Sequence, residues 1–573
     1  MLAPAITKVR EFRGSWKNLL ALGTLPLLGA WIYSRIWMVN PAILGDEYLY
    51  SMNARKVGPW DPPVAGDFSN YLFNFVYQGT NLCGDAFYAC GKIFNIVFFL
   101  GFIFTIFILA LRFLPFWGAY AFMIAAALSP LSVYTSMFLP ESMYFFFIGL
   151  VLVAVLRAMR AFTWQNWALA GAAIGVASLV KPHAWLSAIA VGITMLVVGL
   201  FNKEIGFKRT LVAGLGLVAG AALARVVVGL VVAGPKALGF FGQYFGLTVI
   251  ETVVSGNVET EGDAVTTLVG AGPMAGVFGL FPDQLTVHLY VIFALLGLSI
   301  LGLAMGLLSL MKTRTLGTVE GFSLFAFIWL ASMMIEIVMF TGWVTGGGDD
   351  HTTRVLLRYY EFLFVIVPLA GLSALIGSVR RDVNVWVRWI MAGVSLALIT
   401  PAFTGFFGTL TIQIADAPTL AGLVVNTDVF NAVALLGVVG LLVFATFPKY
   451  SPLVFLLLLP GTMIATGWET QGQYQMFRGA DSPADVAGQY VRDSYTGLGE
   501  DELLVLATSR FDATNVGIWA DIPRLKYELF GPGSVIASGF PEANITTVVV
   551  VGNLGFDEEP TFEGEGFKIF ELD

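Results

Sequence analysis

Apolar runs near twenty residues recur along the first four fifths of the chain, separated by short polar or basic segments. Each is long enough to cross a hydrocarbon core of roughly 30 Å as a helix. The runs lie near residues 19–38, 93–113, 116–136, 142–157, 165–180, 184–202, 210–233, 287–311, 320–343, 359–377, 389–408, 429–447 and 452–467, which predicts about thirteen spanning helices. After Trp468 the pattern changes. Charged residues become frequent and apolar runs shorten to strand length at Leu503–Ala507, Val535–Ala537, Thr547–Val551 and Phe567–Phe570. Ser482-Pro483 followed by Asp485 has the cap, first-turn proline and acidic first turn of a helix start. The expected architecture is an α-helical polytopic membrane region over 1–468, with outer loops at 39–92, 234–286 and 344–358. A small soluble α/β domain over 469–573 is expected to follow it and to shield or dock on the membrane part.

Composition agrees. Of 573 residues, 57% are hydrophobic and 12% charged, and no soluble domain hides that much apolar surface from water. The formal net charge of −8 argues against nucleic acid as a partner, but distribution matters more than the sum. With the N-terminus in the cytoplasm, Arg112, Arg157 and Arg160, then Lys203, Lys208 and Arg209, then Lys312 and Arg314, then Arg380, Arg381 and Arg388, and Lys449 all fall inside. That arrangement obeys the positive-inside rule. It leaves the long loops and the C-terminal domain outside a cell (inner or plasma) membrane. Lys8, Arg10, Arg13 and Lys17 precede the first run with no small-residue cleavage site after it, so that run reads as a retained helix. Cys83 and Cys90 share one outer loop, open to a disulfide or to two separate thiols.

The candidate chemistry sits on that outer face. Asp46-Glu47 lies a few residues past the first run, where a carboxylate in low dielectric can take a proton from an attacking hydroxyl or amine. The plain alternative is a solvated turn. Glu141, in Leu139-Pro140-Glu141-Ser142, faces the same side and supplies either a second carboxylate or an ordinary helix start. Lys181-Pro182-His183 places a cation against the positive-inside trend, explained by an anionic lipid phosphate, a carboxylate partner or snorkelling. Arg354 and Arg358 stand four apart, so a helix there would put both on one face as a phosphate clamp leading into Tyr359. Asp349, Asp350 and His351 have ligand chemistry for a divalent metal but are too few to complete a site; no metal ligands are assigned and no cofactor is certain. Arg225 and Glu336 are isolated charges within apolar runs that could pair with each other. The acidic, glycine-rich stretch with Glu251, Glu259, Glu261, Asp263 and Asp283 suits either a flap or an exposed loop.

In order and sidedness these motifs resemble the GT-C superfamily of integral membrane glycosyltransferases, particularly the protein O-mannosyltransferases and the aminoarabinose transferases of lipid A. The resemblance covers most of the chain: a first span, Asp46-Glu47, a long loop with juxtamembrane helices, Glu141, the Gly171–Pro182 stretch, Arg358-Tyr359 and a soluble C-terminal domain. It implies a polyprenyl-phosphate-linked sugar as donor and inverting transfer to a glycan, lipid or protein acceptor on the outer face. It further implies that Asp46 is the base with Glu47 and Glu141 assisting, and that Lys181, Arg354 and Arg358 hold the donor phosphate, with His183 and Tyr359 beside them. The second acid is a glutamate here, whereas several members of that superfamily place an aspartate in the comparable loop. The main alternative is a transporter or flippase of a lipid-linked saccharide, which needs a polar pathway that the few charges inside the runs do not provide. A third is a related lipid-linked transferase, such as a polymer ligase, with another acceptor.

Overall fold

The computed structural model describes residues 16–42, 44–58, 60, 69–202, 205–239, 272–313, 316–344, 354–378, 383–495, 497–499, 501–523, 525–537 and 544–572. The acidic stretch 251–263 and the run Asp349, Asp350 and His351 lie outside them. The membrane part is built from α1 (Trp16–Ile36), α2 (Leu44–Arg55), α3 (Tyr71–Tyr77), α4 (Phe87–Ala110), α5 (Phe116–Ala127), α6 (Glu141–Arg160), α7 (Trp164–Val180), α8 (Ala184–Phe201) and α9 (Gly206–Ala233). It continues with α10 (Gly272–Thr313), α11 (Thr318–Val344), α12 (Leu363–Ser378), α13 (Val385–Phe403), α14 (Pro418–Val424), α15 (Thr427–Thr446) and α16 (Ser451–Arg478).

All thirteen apolar runs fall on helices. Among the described residues nine helices are long and apolar enough to cross a membrane, and α5 with the 3₁₀ turn Pro130–Ser136 makes a tenth bent by 48°. The remaining runs fall on the shorter α7, α8 and α12. The chain is therefore a multi-pass membrane protein. Large apolar side chains such as Leu27, Leu200, Val218 and Leu457 stay more than 60% exposed on its flanks, where only lipid can cover them. Two bounds differ from expectation. The predicted outer loop 234–286 is partly helix, because α10 begins at Gly272 and runs 42 residues. Helix α16 continues through Trp468 to Arg478, since its polar last turns dock on the segment before Asp46 instead of ending at the apolar boundary.

Helices α7 and α9 approach each other backbone to backbone. Gly171 and Gly175 on α7 face the carbonyls of Leu217 and Ala221, and Gly220 on α9 faces that of Ala168, so an added Cβ at any of the three would overlap a carbonyl oxygen. Small residues four apart permit this approach between helices in lipid. It places the end of α7, and with it Lys181, against the core. Gly175→Val is expected to prise the two helices apart and lower the melting temperature in detergent by several degrees. Gly192→Val should leave it unchanged, because nothing lies within 4 Å of an added Cβ there.

The C-terminal region is a five-stranded sheet of order β2 (Lys526–Leu529), β1 (Leu503–Ala507), β4 (Thr547–Val551), β7 (Phe567–Glu571) and β6 (Phe562–Gly564). Strand β1 runs parallel to β2 and β4, and β7 is antiparallel to β4 and β6. Both central strands are wholly buried, as their unbroken apolar runs require. Helices α17 (Pro483–Ser494) and α18 (Arg510–Ala520) pack on one face. Ser482 and Asp485 form the capping box that opens α17. The four strand positions read from the sequence are all strands, the second of them the short β3 (Val535–Ile536); β2, β6 and β5 (Gly555–Phe556), which pairs with β3, complete the region.

Candidate active site at the helix ends

Asp46 and Glu47 sit in the first turn of α2, a short helix laid over the bundle. They do different work. Glu47 is fully buried and accepts hydrogen bonds from the amide of Ala42 (2.6 Å), the amide of Phe138 (2.7 Å) and the hydroxyl of Tyr88 (2.7 Å). So saturated, it anchors the segment that carries its neighbour and has little capacity left for a substrate. The Asp46 side chain is 32% exposed and meets the Arg358 guanidinium at 2.5 Å.

Arg358 is the hub. Its Nε stands 3.9 Å from both Glu141 and Asp416, and its amide donates to the Asp416 carbonyl at 2.7 Å. Burial opposes its charge, but Asp46, Tyr359, Asp416 and Glu141 outweigh that and hold it above its ordinary value. Glu141, first residue of α6, is 2% exposed and bonds Lys181 Nζ at 2.7 Å. Lys181, at the α7–α8 turn, lies 4.8 Å over the Tyr359 ring. The imidazole of His183 stacks 4.6 Å from that ring, and burial together with Lys181 and Arg358 pushes it far below its usual value, so it is neutral at pH 7.

Arg354 and Arg358 do not share a helical face. The stretch is extended at Arg354, which bridges to Thr411, and only Leu357–Tyr359 make a 3₁₀ turn. The two guanidinium groups meet through Asp416 instead, which Arg354 contacts at 2.5 Å. Asp416 is the site residue that sequence reading missed: a lone aspartate in the 404–417 connection, with no basic neighbour in sequence to mark it. Three cations, Lys181, Arg354 and Arg358, thus face three carboxylates, Asp46, Glu141 and Asp416. Among the described residues no group of three His, Cys, Asp or Glu side chains stands within reach of one metal ion. Arg225 and Glu336 are not joined by any bond between described residues; the Arg225 guanidinium donates to Ser178 and the Gly239 carbonyl.

Just behind the cluster, Glu361 is fully buried, with one oxygen accepting the Thr419 amide at 3.0 Å. Burial pushes its carboxyl up to about 8 against the lowering pull of Thr419. Between the ordinary value of 4.5 and about 8, the unfolded chain ionises while the folded one stays protonated. Stability is therefore lost as pH rises through that window. Glu361→Gln removes the loss, so its melting temperature should overtake that of the wild type between pH 5 and pH 9; parallel curves would contradict this.

An apolar groove of about 570 Å³ begins at Trp185, one turn beyond Lys181, and runs between α8 and α9 past Ala188, Met195, Leu217 and Val218. Cys83 and Cys90 form a disulfide at the start of α4, on the same end of the bundle as the cluster.

No protein-family model and no curated protein sequence matches the chain. Among solved structures, ArnT from Cupriavidus metallidurans in the apo state aligns over 96% of this chain and 97% of its own, at 13% identity and a TM-score of 0.42. The Archaeoglobus fulgidus oligosaccharyltransferase, solved with a tethered acceptor peptide containing an NVT sequon, aligns over 94% and 69%, at 12% identity and 0.46. Its apo form aligns over 94% and 70%, at 13% and 0.40.

Proposed function

We propose that the protein is an inverting glycosyltransferase that moves a sugar from a polyprenyl phosphate to an acceptor at the extracytoplasmic membrane surface. One observation carries this reading: the partly exposed carboxylate of Asp46 meets the Arg358 guanidinium, which gathers with the buried Lys181 on Glu141 at the ends of apolar helices. A lipid-linked donor keeps its phosphate at the interface and its tail in the bilayer. The Trp185 groove suits the tail, and Lys181 and Arg358 suit the phosphate.

Charge balance suggests how the site responds. An incoming phosphate competes with the carboxylates for Arg358, and drawing the guanidinium away frees Asp46 to accept the proton of the acceptor nucleophile. The nucleophile attacks the anomeric carbon, the bond to the phosphate oxygen breaks, and the leaving phosphate is stabilised where it already sits. A phosphate leaves without protonation, so one base suffices. Glu47 then serves as the anchor of Asp46, and Glu141 as the residue that orients Lys181. Arg354 acts through Asp416. The disulfide favours an oxidising compartment on this face, with the N-terminus cytoplasmic.

The test is reconstitution with a panel of polyprenyl-phosphate sugars and candidate acceptors. Transfer from one of them supports the reading. Movement of lipid-linked saccharide between leaflets with no transfer would replace it with the transporter alternative.

A further inference from the structure

Glu336 is a charge inside a membrane span that the chemistry at Asp46 leaves unused. It lies within the apolar stretch Thr318–Met339 of α11. Met333 and Ile337 beside it are wholly buried while Ile335 and Met339 are 45% exposed, so Glu336 stands at the margin of the helix face that packs on the bundle. That face is fixed in place. Two turns earlier, Trp329 Nε1 donates to Ser187 Oγ of α8 at 3.0 Å, and the Trp329 ring lies 5.2 Å from that of Phe362. Phe362 in turn meets the Tyr144 ring of α6 edge-on at 5.8 Å.

Among the described residues Glu336 makes no hydrogen bond and no ion pair, and its Oε2 is buried. A carboxyl within an apolar helix is costly unless something meets it. The Tyr144 hydroxyl and Glu141 Oε2 are likewise buried, without a partner of hydrogen-bond geometry among the described residues. Lys181 connects all three. Its Nζ bonds Glu141 Oε1 at 2.7 Å and lies 5.9 Å over the Tyr144 ring, and its charge acts on Glu336. The charge of Glu336 acts in the same way on the Tyr144 phenol. Lys181 also senses Asp46, so these oxygens and the proposed base gather about one ammonium group.

We infer that Glu336 and Tyr144 recognise the sugar of the donor by pairing with ring hydroxyls of a hexosyl or pentosyl group. The inference rests on the reading of Lys181 as a phosphate ligand. A glycosyl unit is one bond from its phosphate, so a phosphate on Lys181 carries the ring toward both side chains. A carboxyl and a phenol together offer acceptors and a donor, which is what a hydroxylated ring requires. A site built to pair such hydroxyls also rejects a lipid that lacks them, because its buried polar groups are then left unmet. Glu336 thus sets which donor binds and takes no proton during transfer.

The experiment measures binding of undecaprenyl phosphate, bare or bearing glucose, mannose, arabinose or aminoarabinose, to the full chain in detergent by competition in native mass spectrometry. Wild type should prefer at least one glycosylated lipid over the bare one by about tenfold or more, the ratio that one hydrogen bond to a charged group supplies. Glu336→Leu should erase that preference and leave affinity for the bare lipid unchanged. It should melt no lower than wild type, because leucine removes an unmet buried carboxyl. Tyr144→Phe, which keeps the ring beneath Lys181, should lower the same preference. Equal loss of both lipids in Glu336→Leu, or a melting temperature several degrees down, assigns Glu336 a structural role and overturns the inference, as does a preference retained in both variants. Wild type that binds bare and glycosylated lipid equally overturns sugar recognition and leaves the phosphate reading intact. Wild type that binds neither overturns the phosphate reading and the inference with it.

Discussion

Asp46→Asn should cut the transfer rate by about 10²–10⁴-fold, the span expected when a positioned general base is removed, while donor KM stays flat or falls. The split follows from geometry. Asparagine keeps the size of the side chain but cannot accept a proton from the nucleophile, and it releases Arg358 from its 2.5 Å contact, leaving the guanidinium more available to phosphate. The fold should not suffer, because Arg358 retains Glu141 and Asp416 nearby and the Asp46 side chain is partly exposed. Steady-state kinetics against donor concentration, with a melting curve of the same preparation, decides the matter. A fall of only a few-fold in kcat, or a donor KM raised in step with the rate loss, would remove Asp46 from the role of base.

The second large effect is expected 439 residues away in sequence. Asp485 is fully buried, and the Arg478 guanidinium bonds it through both carboxylate oxygens at 2.9 and 3.0 Å. Trp519 Nε1 donates to it at 2.7 Å, and Arg478 Nε donates to the Pro41 carbonyl at 2.5 Å. Breaking one side of such a buried pair leaves an uncompensated charge, so Asp485→Ala should cost about 3–5 kcal/mol. It should also disorder the segment that delivers Asp46, since Asn40 and Pro41 are held by Arg478. Asp485→Leu with Arg478→Met restores apolar packing and should recover much of the stability. It cannot restore the tether to Pro41, and transfer should remain low. Recovery of both together would reduce the pair to a packing role.

Those contacts also give the C-terminal region a task. Tyr48 of α2 donates to the Ile522 carbonyl and accepts from the Leu525 amide, and Arg55 and Lys56 both meet Asp521 at 2.6 Å. The helix bearing the acidic pair is thus clamped between the bundle and the α/β region. Lys92 completes the frame from below by donating to the carbonyls of Ile36, Trp37 and Val39, which closes the end of α1 just before the motif.

Much of the site could be read in advance because lipid makes charge conspicuous. Asp46, Glu141, Lys181 and Arg358 interrupt apolar text, and a charge kept there needs a partner or a wet cavity. The alternation of the apolar runs places all four at one end of the bundle. Asp416 escaped notice because it lies in a polar connection where an aspartate is unremarked, and its pairing with Arg354 spans 62 residues. Glu47 shows the reverse limit: adjacent to Asp46 and chemically identical in kind, it is separated from it only by burial and three donors.

What the chain determined by itself was local: which runs are helical and lipid-facing, where strands begin, and which end of the bundle holds the carboxylates. Those follow from the period and solvation of neighbouring residues, which need no knowledge of distant partners. The tertiary structure decided which carboxylate is partly open, which cation each one meets, and that α16 and the α/β region hold Asp46 in place. Those outcomes depend on side chains hundreds of positions apart sharing one small volume, and no local pattern encodes that meeting.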